Sequence, residues 1–210
     1  MTPEQFQART GVSDAVLERL RIYADLLTKW QARINLVGPR TLPELWQRHM
    51  LDSAQLWSLA PSAAQRWIDL GSGAGFPGLV LAALGAQQMT LVESDIRKAT
   101  FMREAARVMG VTADVQAVRI EKAMIPPADV ITARALAPLT QLLEFADRLQ
   151  KEGTVCLFLK GQDVDKELTE ATKSWKISYR LVPSITDAAA RIVQIEAFQH
   201  GKQSPRSPEN

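Results

Sequence analysis

At 210 residues, with 46% hydrophobic and 23% charged positions, the chain can bury the core of one sizeable domain and is too polar for a membrane bundle. Its 25 Lys and Arg against 23 Asp and Glu leave +2, too mild a surplus to mark a dedicated nucleic-acid-binding domain by bulk charge. The single cysteine, Cys156, excludes an internal disulfide and a cysteine-rich metal site.

From the N-terminus, Met1-Thr-Pro-Glu-Gln5 has no signal-peptide character, and no apolar run approaches the roughly 20 residues of a membrane span. A cytoplasmic protein is expected, with no membrane partner and no metal. Ser13 caps a predicted helix whose apolar residues Val16, Leu20, Tyr23, Leu27, Trp30 and Ile34 step by four and three. Asn35-Leu-Val-Gly-Pro-Arg40 breaks it. Thr41-Leu-Pro-Glu44 has capping-box spacing, and a second helix is expected from Leu45 to about 59, with Leu45, His49, Asp52 and Leu56 near one face. Trp30, Trp46 and Trp67 fall on apolar stripes or inside a strand, so core packing is their expected use.

From Gln65 the rhythm changes. Strands are predicted at 66–70, 89–93, 114–118, 129–133, 153–159, 176–182 and 191–198, with helices over 77–85, 95–109, 138–150 and 163–174. Strand–helix alternation argues a Rossmann-like, doubly wound α/β fold with a mostly parallel seven-stranded sheet. Only Pro183–Ala190 separates the last two strands, too short for a helical crossover, so they should pair antiparallel. The predicted organisation is an N-terminal helical segment, 1–64, packed on a main domain, 65–199, followed by a disordered polar tail, 200–210.

The chemistry concentrates in Asp69-Leu-Gly-Ser-Gly-Ala-Gly-Phe-Pro-Gly78, a strand end, a glycine-rich turn and a helix start. Gly71, Gly73 and Gly75 permit the tight turn and let a ligand lie against bare backbone at a helix N-terminus. A dinucleotide pyrophosphate or the methionine end of S-adenosylmethionine would suit it, and Gly73 to Gly78 formally matches the dinucleotide fingerprint. Glu93, 24 residues after Asp69, would hold ribose hydroxyls in either case. Asp69 at the strand tip is placed for the cofactor's ammonium group, directly or through water. Ile120-Glu121 is placed for the adenine edge. The chain also lacks room for the substrate domain of a dehydrogenase. These three features favour S-adenosylmethionine and a class I methyltransferase fold over a nicotinamide or flavin site.

Methyl transfer is an in-line displacement, so the enzyme's main task is alignment of the acceptor lone pair. Methylation at C5 of a pyrimidine needs a cysteine nucleophile, and Cys156 lies in a predicted buried strand. The Asn/Asp-Pro-Pro-aromatic signature of many exocyclic-amine enzymes is absent from Ile131 to Pro138, and Pro126-Pro127 lacks the aromatic. The acceptors that remain include a purine ring nitrogen, which needs no base. Arg134 and Lys160, just beyond the fourth and fifth strands, lie on the edge where ligands bind in open α/β sheets. Arg97, Lys98, Arg103, Arg107 and Arg119 could hold phosphates around such a site, although solvated helix faces and local ion pairs suit Arg103 and Arg107 better.

Asn35-Leu-Val-Gly, Arg48-His-Met-Leu-Asp-Ser53, the 69–78 turn, Arg134-Ala and Leu159-Lys-Gly161 together resemble the RsmG (GidB) family, in unbroken order over about 13–198. That resemblance implies methylation of guanine N7 in the 530 loop of 16S ribosomal RNA, on free RNA or the small subunit, by a monomer. It implies that Gly71, Phe76, Ile120, Glu121 and Arg134 contact the cofactor, with Arg134 near the transferred methyl and, with Lys160, catalytic. It places Asn35, His49 and Asp52 on a surface beside the active site, with Asn35 and His49 binding RNA, where His49 and Asp52 could instead pair with each other and tie the helical segment to the sheet. Arg97, Lys98, Arg119, Lys160 and Arg191 match positions proposed to hold RNA, although Ala188-Ala-Ala190 departs from the more polar run of the family and loosens the placement of Arg191. Other methyl acceptors, or a nicotinamide-binding protein, are the alternative readings.

Overall fold

The computed structural model describes residues 1–201. Of the expected disordered tail, 202–210 lie outside the described residues. His200, assigned to that tail, instead ends the last strand and stacks its ring on Trp175, 3.7 Å between centroids.

Helix α1 (Pro3–Thr10) precedes the expected one. Its signal was present in the sequence: Thr2 and Gln5 form a reciprocal capping box, with Pro3 in the first turn. Helix α2 (Asp14–Gln31) starts on the Ser13 cap and buries Leu17, Leu20, Tyr23, Ala24 and Leu27. The second expected helix is not continuous. A 3₁₀ turn (Leu42–Glu44), a π-helical stretch (Trp46–Leu51), a short α3 (Asp52–Ala54) and another 3₁₀ turn (Trp57–Leu59) take its place. Side chains compete here for the carbonyls that a regular helix would use. Ser53 Oγ donates to His49 O, Gln55 Nε2 to Asp52 O, and the distant Arg134 to Arg48 O.

The sheet elements match the predicted order: β1 (Trp67–Leu70), α4 (Gly78–Leu84), β2 (Met89–Val92), α5 (Ile96–Met109), β3 (Ala113–Gln116), β4 (Val130–Arg134), α6 (Leu139–Asp147), β5 (Val155–Lys160), α7 (Val164–Ala171), β6 (Trp175–Pro183) and β7 (Arg191–His200). The seven strands lie in the order β3-β2-β1-β4-β5-β7-β6, all parallel except β7, which pairs antiparallel with both neighbours. The two-residue side-chain period divides the core into two layers. Trp67, Val130 and Leu157 face the layer shared with α2, α4, α5 and the N-terminal turns, whereas Ile68, Ile131, Cys156 and Phe158 face α6 and α7. Cys156 is fully buried, and burial pushes its thiol pKa up. Trp67 is buried as expected, while Trp30 and Trp46 are partly buried against the same layer.

Strand order reverses at β1, whose neighbours β2 and β4 leave in opposite directions. Such a switch point opens a crevice at the carboxyl ends of the strands. Leu70 is level with both Val92 and Ala133, so Gly71, Glu93 and Arg134 all emerge at one edge.

Candidate active site

A cavity of about 680 Å³ occupies that edge, within the size range of small-molecule and cofactor sites. Its floor is the glycine turn from Gly71 to Ala74 with Phe76. One wall runs from Val92 and Glu93 to Lys98 and the 118–121 turn. Another is the 134–137 loop with Gln141 and Phe145, and the N-terminal segment closes the mouth with Leu36, Gly38, Thr41 and His49.

The turn is fixed by backbone conformation. Gly71 sits at φ +61, where a Cβ would also lie 2.4 Å from Leu136 Cδ1, so any other residue would strain the backbone and displace Leu136. Gly73, at φ +58, faces open ground, since a Cβ there meets nothing nearer than the Gly71 carbonyl oxygen at 3.9 Å. A ligand can approach bare backbone at this point. Gly75 belongs to the turn but does not line the cavity.

Two carboxylates brace the turn. Glu93, on the cavity wall, accepts from Gly73 N at 2.9 Å and Asp95 N at 2.8 Å, one bond to each oxygen. A carboxylate has about four acceptor sites, so capacity remains for ligand hydroxyls. Asp69 has a different place. It is fully buried, accepts Thr132 Oγ1 at 2.8 Å and Gly78 N at 3.1 Å, and does not line the cavity. Burial raises its pKa to about 6 against the opposing pull of the Thr132, Ser72 and Gly78 hydrogen bonds. Its carboxylate fastens the turn and the start of α4 to β1 and β4. Expected at a ligand ammonium group directly or through water, it lies behind the cavity lining in this structure.

Arg134 is the centre of the opposite side. Its guanidinium stands 5.0 Å over the Phe76 ring, donates to Arg48 O at 3.1 Å and His49 Nδ1 at 2.8 Å, and lies 3.6 Å from Asp52 Oδ2. His49 and Asp52 therefore do not pair with each other; both converge on Arg134. Arginine only donates, so His49 Nδ1 is unprotonated and its proton is on Nε2. That N–H donates to Thr41 Oγ1 at 2.8 Å, and the Thr41 hydroxyl donates to Gly38 O at 2.8 Å. The chain of donors runs in one direction from the strand tip to the mouth of the cavity. Burial first, then Arg134 and Arg48, depress the His49 pKa to about 3, which fixes the ring as neutral.

The other predicted residues divide. Ile120, Glu121, Lys98 and Arg119 line the cavity. Arg97 is exposed and paired with Asp95, the cap of α5. Asn35 is exposed beside Leu36 and touches Gln31 Nε2 at 3.4 Å. Arg191 Nη1 closes its own loop onto the carbonyls of Ala188 and Ala190. Lys160, only 9% exposed at its side chain, bonds Glu167 at 2.6 Å and Ala137 O at 2.8 Å, while Glu167 accepts Leu139 N at 2.7 Å. It supports the 135–139 loop from beneath, in which Ala135 holds φ 50, uncommon for a residue with a Cβ. Arg107 makes a local ion pair with Glu104, whereas Arg103 donates to the Val115 carbonyl, and neither lines the cavity. Sequence reasoning missed Tyr23, whose hydroxyl donates to Ala74 O behind the turn, and Gln141 and Phe145 on the wall. In the sequence Tyr23 is one position of an apolar stripe, which hides its hydroxyl, and the α6 pair carries no motif.

Residues 16–195 match the model of the GidB family, described as rRNA small subunit methyltransferase G. The chain belongs to this family. It is 54% identical to the ribosomal RNA small subunit methyltransferase G of Paramagnetospirillum magneticum, over 98% of this chain and 100% of that one. The Gluconobacter oxydans protein of the same name is 51% identical over 90% of this chain and 98% of its own. Among solved structures, M. jannaschii TYW2 in complex with AdoMet is similar in fold, with TM-score 0.56, 11% identity and 80% of each chain covered. The ribosomal protein L11 methylase of Lactobacillus delbrueckii subsp. bulgaricus has TM-score 0.56 at 18% identity, over 69% of this chain and 75% of that one. At those identities they show a shared fold, whereas the GidB relatives span nearly the whole chain. No group of three or more His, Cys, Asp or Glu suited to a metal ion occurs among the described residues, and no helix there is long and apolar enough to cross a membrane.

Proposed function

We propose that this protein transfers a methyl group from S-adenosylmethionine to N7 of a guanine in the 530 loop of 16S ribosomal RNA, as a cytoplasmic monomer. Family membership over nearly the full chain carries this reading. The cavity at the glycine turn supports it: bare backbone at Gly73, remaining acceptor capacity on Glu93 and the apolar Ile120–Phe145 side suit a nucleoside with an amino-acid tail. When bound, the sulfonium supplies an electrophilic methyl carbon.

The residues around it have a limited chemical task. A guanine N7 already holds an exposed in-plane lone pair, so no base is required and positioning dominates. His49 fits that economy, since Nδ1 is occupied by Arg134 and Nε2 already carries its proton. Arg134, fixed from several sides, is the donor available at the junction of turn and mouth. Lys98 and Arg119 at the rim place positive charge where RNA phosphates would approach, a term that fixes register more than sequence. Arg97, Arg191 and Asn35 lie outside the cavity and would act on more distant parts of the RNA. In this reading 1–64 forms the RNA-side segment and 65–199 the methyltransferase domain.

The test is transfer of labelled methyl to 16S RNA and to small subunits from a strain lacking the enzyme, followed by m7G-specific strand cleavage. Cleavage in the 530 loop is expected. Labelling of another acceptor with none in 16S RNA would sink the proposal.

A further inference from the structure

We propose that Thr186, in the loop between β6 and β7, is a positioning residue for Arg134, acting through Asp52. This rests on reading the cavity as the methyl-transfer site. Thr186 does not line that cavity and is 134 residues from Asp52 in sequence. Yet its hydroxyl donates to Asp52 Oδ1 at 2.6 Å, and Gln55 Nε2 donates to the same oxygen at 2.9 Å. With Oδ1 filled by these two donors, Oδ2 is the oxygen left to face the Arg134 guanidinium.

The hydrogens of the cluster follow from the chemistry of its members. Thr186 has one hydroxyl proton and gives it to Asp52, so the 2.9 Å contact with Ser184 is donated by Ser184. The two Gln55 amide hydrogens serve the Asp52 carbonyl and carboxylate oxygens, the two nearest acceptors, and Ser184 Oγ, 3.3 Å from that nitrogen, accepts from Thr186 N at 3.2 Å. Gln55 Oε1 accepts Ile185 N at 2.9 Å, which fixes the orientation of its amide. Arg9 of α1 donates to Ile185 O at 3.2 Å on the outer side. The 184–186 loop is thus gripped by Arg9 of α1 and by Gln55 at the end of α3, and it returns one hydroxyl to the carboxylate beside Arg134.

Why this matters is geometric. The Asp52–Arg134 approach of 3.6 Å is an ion pair without a short hydrogen bond, so it defines direction weakly by itself. A carboxylate free to rotate would offer either oxygen and let the guanidinium drift over the Phe76 face. Two donors on Oδ1 remove that freedom, which is how a supporting shell holds a reacting geometry.

Thr186→Val removes the donor at nearly constant shape, and Thr186→Ser keeps it. In the full-length protein, the Thr186→Val variant should lower kcat for methyl transfer to 16S RNA on the order of tenfold. Affinity for S-adenosylhomocysteine should change by no more than about twofold, because the glycine-turn wall is untouched. Side-chain ¹⁵N spectra of His49 and Arg134, recorded on the protein alone, should shift in Thr186→Val and return toward wild type in Thr186→Ser. If Val unfolds the chain, Thr186→Ala carries the same expectations. Unchanged His49 and Arg134 signals, or a Ser variant as impaired as Val, would overturn the inference. So would a kcat loss matched by a proportional loss of folded protein. If wild type methylates no RNA, the proposed function fails, while the spectra still decide the positioning role.

Discussion

The two sides of the cavity are built in opposite ways. The glycine-turn side is mostly local: Asp69, Gly71, Gly73 and Glu93 lie between positions 69 and 93, and both carboxylates accept backbone N–H groups of the same βαβ unit, with Thr132 and Tyr23 adding single bonds from outside it. The Arg134 side is assembled from afar, with Arg48, His49 and Asp52 from the N-terminal segment, Arg134 from β4 and Thr186 from the last loop. One side is set by permitted φ angles, the other by which side chains find each other after folding. Cofactor binding and acceptor alignment should therefore be separable by mutation.

The largest expected effect tests whether the local side is as self-contained as it looks. Asp69→Ala leaves Gly78 N–H and the Thr132 hydroxyl buried without their partner, a cost of about 2–4 kcal/mol. Chemical denaturation should show it, together with loss of S-adenosylhomocysteine binding through a loosened turn. The loss should be smaller at pH 7 than at pH 4. The native pKa, raised from 3.8 to about 6, means the folded state binds the proton more tightly, so the contribution of Asp69 falls as pH rises through that window. Stability unchanged by the substitution would show that the turn is held by its glycines alone.

A middle-sized effect is expected from Lys160→Met. Because Lys160 and Glu167 support the 135–139 loop, the substitution should weaken S-adenosylhomocysteine binding about fivefold, measured by calorimetry. Weaker RNA binding with unchanged cofactor affinity would instead place Lys160 on the RNA side and redraw the boundary between the two walls.

The smallest effect is an absence. Between pH 8 and about 5 the ¹⁵N signals of His49 should stay at those of a neutral Nε2–H ring. Its native pKa, depressed from 6.5 to about 3, means the stability gained from the neutral ring is complete above 6.5 and is lost as pH falls toward 3. A titration near 6.5 would mean that Arg134 does not donate to His49 and that the assembled wall is open in solution.

Legibility in the sequence followed the same division. The glycine turn, the seven strands and the antiparallel final pair were readable because period, spacing and turn chemistry are short-range signals. Helix α1 carries its signal in the Thr2–Gln5 capping box rather than in an apolar period. The interrupted Trp46–Leu59 stretch was not readable, because its irregularity comes from side chains claiming carbonyls, one of them from 86 residues away. Asp69 illustrates the limit most clearly. Its position at a strand tip was legible, but whether its carboxylate faces a ligand or a backbone N–H depends on where α4 packs. Lys160 is similar: the sequence placed it at the right edge, and only Glu167, on the next helix, turns it under the loop.

The wide π turn at Trp46–Leu51 has a consequence for how this segment can vary. Winding from residue i to i+5 accommodates one residue more than an ordinary turn. Deleting that one extra residue would restore regular winding and leave Asp52 and Gln55 on nearly the same face. A length change that the wide turn does not absorb would rotate everything beyond it by about 100°. Asp52 and Gln55 would then swing away from Arg134 and the β6–β7 loop, even with every chemical group retained. Between Glu44 and Gln55, then, side chains on the outer face can be exchanged, and the wide turn is the one place where the segment can lose a residue while the mouth of the cavity stays in register with its floor.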